Sequence, residues 1–161
     1  MYLPPGHEHT ELIEVVRLSG APMPDGLTGD GLEVWAADEV RQALALIAGL
    51  PDQDMHRCFF PGWGIRAHGA DGPLFEIAFC FQCHNLRMWG PAVPEEHRRL
   101  AGFDADSPPA RELLRLFRAC DRTLQDATPQ DVRPQDLTPQ GVTPQDPTPE
   151  DPPGRPRTRT R

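Results

Sequence analysis

The chain has 161 residues, of which 38% are apolar, 20 are proline and four are cysteine, and it carries a formal charge of −8 at neutral pH. That is enough for one domain and not for two large ones. The cysteines are too few for a disulfide scaffold, and no apolar run approaches the roughly 18–20 residues of a membrane span, which excludes collagen, coiled coil, membrane protein and secreted knot.

The charge is uneven. Residues 128–161 hold five acids and five arginines and net zero, so the 19 acids and 11 arginines of residues 1–127 carry the whole −8. So acidic a domain repels phosphate backbones and anionic membrane surfaces, and neither nucleic acid nor membrane is expected as a partner. All 16 basic residues are arginine, scattered rather than clustered, as the codon bias of a high-GC bacterial genome would leave them. Met1 to Thr10 has neither the basic nor the apolar segment of a secretory signal. A cytoplasmic protein is expected.

Glu11 to Leu18 is short, rich in β-branched residues and ended by Ser-Gly-Ala-Pro, which predicts a strand. Ser19 to Gly31, with four glycines and two prolines, predicts a loop. Val40, Ala43, Leu44, Ile47 and Leu50 fall at helical spacing; Asp38 and Glu39 suit the first turn, and Gly49-Leu50-Pro51 stops the helix. Arg57 to Phe60 is a short apolar stretch. Trp63 to His68 alternates, Gly69-Ala-Asp-Gly72-Pro73 is a hairpin turn, Leu74 to Phe81 is almost continuously apolar, and Leu86 to Trp89 follows a tight reversal. Residues 57–89 therefore predict an antiparallel β-meander of three or four strands. Glu95-Glu96-His97-Arg98-Arg99 reads as an exposed charged turn. Ser107-Pro108 predicts a helix N-cap, followed by an apolar face of Leu113, Leu116, Phe117, Cys120 and Leu124. Antiparallel strands with flanking helices define an α+β domain over residues 1–127. Trp35, Trp63 and Trp89 are expected in or against its core.

Residues 128–152 repeat a five-residue unit, such as Thr-Pro-Gln-Asp-Val, with proline in every copy. One lost backbone donor per unit and little apolar surface predict a disordered tail over 128–161, either a spacer or a tolerated low-complexity repeat.

Cys80-Phe81-Gln82-Cys83-His84 is the one constellation with evident chemistry. Its C-x-x-C-H string is that of covalent haem attachment. That chemistry needs an export route and a helix-like setting for the histidine, whereas here the string ends a β-run, so haem is set aside. Two thiolates two residues apart at a strand reversal can instead grip Zn²⁺. Cys58, 22 positions earlier, is the third candidate ligand. His56 shares a strand face with it and is the preferred fourth, with His84 or His68 as alternatives. Against the metal stands a reading of Cys58, Cys80 and Cys120 as buried thiols in apolar runs. A redox pair of Cys80 and Cys83 is the remaining alternative. No serine-hydrolase elbow, P-loop or H-E-x-x-H is present, and His7-Glu8-His9 is expected to be solvated.

Arg57-Cys58-Phe59-Phe60-Pro61-Gly62-Trp63-Gly64-Ile65-Arg66 with Ile77-Ala78-Phe79-Cys80-Phe81-Gln82-Cys83-His84-Asn85 resembles a pattern in small bacterial proteins of no assigned activity. The resemblance covers about 35 residues and implies that Cys58, Cys80 and Cys83 act as a set. Where many members have Gly or Asn after the second cysteine of the pair, this chain has His84. The expectation is a small non-enzymatic domain, zinc-binding and engaging a protein partner; the alternative is a thiol redox protein.

Overall fold

The computed structural model describes residues 3–19 and 25–126. Strands β1 (Leu12–Leu18) and β2 (Gly29–Ala36) form a hairpin, and helix α1 (Asp38–Ala48) follows. Next come β3 (Trp63–Gly69), β4 (Gly72–Cys80), β5 (Asn85–Trp89), the short β6 (Ala101–Gly102) and helix α2 (Pro108–Asp126). The six strands make one antiparallel sheet in the order β2-β1-β3-β4-β5-β6. The protein is thus of the α+β class.

Period-two alternation gives the sheet two different faces. Ile13, Val15, Trp63, Ile65, Phe75, Ile77, Phe79 and Leu86 point to one face, where they meet Val40, Ala43 and Ile47 of α1 and Leu113 and Phe117 of α2. Phe117 is the centre of this core: the Trp35 and Trp63 rings stack on it at 5.8 and 5.7 Å. The opposite face carries a smaller cluster of Val16, Leu18, Leu27, Ala78 and Trp89, with Phe59 packed against it. The C-terminal half of β4 is therefore buried on both sides, which is why Ile77 to Cys80 is apolar without alternation. On the same face as this smaller cluster a charge ladder crosses three strands. Arg66 bonds Glu14 at 3.0 Å and Glu76 at 3.2 Å, in direct cross-strand register. Glu76 also accepts the Leu27 N–H at 2.9 Å.

Three expectations change. Residues 29–31, read as loop, begin strand β2: pairing with β1 supplies the hydrogen bonds that glycine-rich propensity does not favour, and the register skips Leu32 as a bulge. Arg57 to Phe60 is not a strand; it belongs to the irregular segment between α1 and β3, and Cys58 there is exposed. Ser107 does stand at the start of α2, with its carbonyl accepting the Arg111 N–H at 3.0 Å, but its hydroxyl donates to the Asp104 carbonyl at 2.6 Å instead of capping the helix. The repeat tail lies outside the described residues, as does the side chain of Leu124. Among the described residues no helix is long and apolar enough to cross a membrane.

Candidate metal centre

Strand β4 ends at Cys80 and β5 begins at Asn85, directly opposite it. Phe79 and Leu86 belong to the helix-side core, so alternation sends Cys80 and Asn85 to the other face. The four residues between them turn tightly. The Cys83 N–H donates to the Cys80 Sγ at 3.3 Å, and His84 takes a left-handed conformation at φ 53°. That region favours glycine, with Asn, Asp and His the commoner exceptions. His84 is held there by its surroundings: its carbonyl accepts the Phe103 N–H at 2.8 Å. Its Nδ1 accepts the Ala105 N–H at 3.3 Å.

The segment from Pro51 to Gly62 lies across the end of the sheet. Gln53 N–H donates to Gly102 O, and Asp104 N–H donates to Pro51 O. The fit at Gly102 is so close that a Cβ would lie 2.3 Å from the Gln53 carbonyl oxygen. Asn85, fully buried, then fastens the segment. Its Nδ2 donates to the carbonyls of His56 and Cys58, both at 2.7 Å, and its Oδ1 accepts the His56 N–H at 3.2 Å. One side chain thus pairs with the backbone as a neighbouring strand would, and it hangs Cys58 over the Cys80–Cys83 turn.

As a result the three thiols lie near one another, and Cys83 interacts electrostatically with both Cys58 and Cys80. Burial alone would raise the Cys83 thiol, but donors from Cys58, Cys80 and the Phe60 N–H outweigh it and hold Cys83 below the usual thiol value. Cys58 is raised, first by its bond to Cys83. Burial, helped by Cys83, pushes Cys80 up to about 11. The arrangement favours the thiolate at Cys83 over that at Cys58 or Cys80. Cys120 stands apart on α2, where its thiol donates to the Leu116 carbonyl at 3.3 Å and burial pushes it up to about 12.

The histidines do not join the sulfurs. His68 pairs with Leu12 and Pro73 at the hairpin end of β3, the end opposite Trp63 and Phe79 and hence opposite the cysteines. This corrects its candidacy as a ligand. His84 is turned toward Gln53 and Ala105. His56 is exposed, with its ring 5.6 Å from that of His84. Among the described residues, the trio of His, Cys, Asp or Glu with ligand atoms all within 4.8 Å of one another is His84, Asp104 and Asp106, not the cysteines. The three sulfurs are thus not all within 4.8 Å of one another. Closing them on a tetrahedral ion, with sulfur–sulfur edges of about 3.8 Å, requires the site to draw together, with Cys58 the sulfur on the exposed segment. Its place on an exposed irregular segment allows that.

Asn85 is the residue that sequence reasoning passed over. Its signal is modest: an asparagine opening a strand, where this residue type is depleted, directly after the paired cysteines. Comparison with family models, curated proteins and solved structures finds no match for the chain.

Proposed function

We propose that the protein is a small non-enzymatic domain in which Cys58, Cys80 and Cys83 hold one Zn²⁺, with His56 as the preferred fourth ligand. The observation that carries this reading is the convergence of three thiols from two separate segments, fastened by Asn85. Three thiols with N–H donors directed at them are the donor set of a structural zinc site. Bound zinc would neutralise the thiolates and cross-link residues 56–58 to the β4–β5 turn. His56 is preferred over His84 because the His84 Nδ1 already accepts a backbone N–H, whereas the His56 ring is exposed two residues from Cys58. Phe60 and Met55, exposed on the same segment, are the apolar side chains a protein partner would contact. Redox chemistry on Cys80 and Cys83 has less support, because burial holds Cys80 as the neutral thiol.

Elemental analysis of the full chain, purified without chelator, tests the reading. One zinc per chain is expected, lost in Cys83→Ser and kept in Cys120→Ser. Protein that arrives metal-free and takes up no zinc at micromolar concentration would overturn it.

A further inference from the structure

We infer that Arg87, Arg98 and Asp25 bind inorganic phosphate in a cavity at the Trp89 end of β5. The site is separate from the cysteines, since Cys80 pairs with Asn85 at the other end of that strand, and it does not depend on the zinc reading. The cavity measures about 340 Å³ and is lined by Asp25, Arg87, Trp89, Gly90, Pro91 and Arg98. Two positive side chains thus share one small space in a chain whose net charge is −8. Arg41, Arg66, Arg111 and Arg115 each pair with a carboxylate. Among the described residues Arg87 and Arg98 do not; their partners are backbone carbonyls and the Trp89 ring.

Those partners hold both guanidinium groups in place. Arg98 donates from Nε to the Val93 carbonyl at 3.1 Å and from Nη2 to the Gly90 carbonyl at 3.4 Å. Arg87 donates from Nε to the Arg98 carbonyl at 3.4 Å, and its guanidinium carbon lies 5.1 Å from the centroid of the Trp89 ring. The turn that supplies the carbonyls is itself fixed. The Ala92 N–H donates to the Leu74 carbonyl at 3.0 Å, and Gly90, at φ 119°, sits so close to β4 that a Cβ would lie 2.7 Å from the Phe75 Cα. Much of the rotamer freedom an arginine loses on binding is therefore lost on folding, and Nη donors of both groups are left for an oxyanion, whose geometry the guanidinium fork matches. Asp25 selects among oxyanions. A carboxylate repels sulfate, which is fully ionised, but accepts a hydrogen bond from the O–H that hydrogen phosphate keeps at neutral pH. The domain's net charge works against a polyanion, but screening acts over about 8 Å at physiological ionic strength, so a small anion responds to the two arginines beside it.

The test titrates the full chain with sodium phosphate, sodium sulfate and glycerol phosphate at constant ionic strength, set with chloride. Calorimetry gives the affinity, and the Nε–H resonances of Arg87 and Arg98 with the Gly90 amide give the place. Phosphate is expected to bind at one site with a Kd below about 1 mM and to shift all three signals. Sulfate, with no proton for Asp25, should bind about tenfold more weakly or worse. Glycerol phosphate, a full dianion at pH 8, should follow sulfate. Asp25→Asn should erase the discrimination, because an amide can donate to sulfate where the carboxylate repels it. Arg98→Gln, an exposed change, should weaken phosphate by about tenfold. No phosphate binding up to about 10 mM, or sulfate bound as tightly as phosphate, would overturn the proposal. So would glycerol phosphate bound as tightly as inorganic phosphate, which would assign the cavity to phosphoesters instead. All three outcomes are read on the wild type, whether or not the variants fold.

Discussion

Replacing Asn85 by alanine removes the fastening of the candidate site without touching a sulfur. Three hydrogen bonds are lost, at 2.7, 2.7 and 3.2 Å, each contributing about 1 kcal/mol net. The freed groups of His56 and Cys58 lie on an exposed segment, so part of their desolvation is recovered when the segment lifts into water. The expected loss is therefore about 2–3 kcal/mol, a large share of the ~5–15 kcal/mol by which a domain is stable. At about 4 °C per kcal/mol for a domain of this size, the melting temperature should fall by about 8–12 °C. In urea the midpoint should drop with little change in slope. A second readout separates fastening from general damage. Cys83 lies beneath the segment and is 5% exposed, so in Asn85→Ala its alkylation should rise toward the rate at Cys58, while Cys120 stays protected. Zinc affinity should weaken by about ten- to a hundredfold, since 1.4 kcal/mol of lost preorganisation is a factor of ten. A cost below about 0.5 kcal/mol, with Cys83 still protected, would refute the role given to Asn85.

Gly102→Ala should cost about 1–3 kcal/mol by overpacking, since the new Cβ meets backbone atoms of Gln53 and Asp54; urea unfolding measures it, and Cys83 should again become accessible. Arg66→Met leaves Glu14 and Glu76, each about a quarter exposed, without their shared partner, and should cost about 1–3 kcal/mol; adding Glu14→Gln and Glu76→Gln should recover part of that in a mutant cycle. Cys120, near 9 when unfolded and raised to about 12 when folded, contributes stability that is complete below pH 9 and lost as pH climbs from 9 toward 12, because the unfolded chain sheds its proton first. Stability above pH 9 should therefore fall less steeply in Cys120→Ala than in the wild type, measured by urea midpoints across that range.

Where burial pattern alone dictates an element, the chain declares it in its residues. Strand β1, helix α1, the alternation of β3 and the apolar face of α2 follow from spacing, because each buries one stripe against a common core. Cysteines 58, 80 and 83 stand out in the sequence as candidates because few other residue types suit metal or thiol chemistry. Strand β2 is not legible: Gly29 and Gly31 have no strand preference of their own, and pairing with β1 makes them one. Nor could spacing place the histidines. It favours His56 as sharing a strand face with Cys58, but residues 56–58 form no strand; the tertiary structure leaves His68 at the far end of β3 and turns His84 toward Ala105. Asn85 has its role for the same reason. A buried amide is useful only opposite backbone groups from 27 and 29 positions away, and that encounter is made by tertiary packing, in which the local pattern has no part.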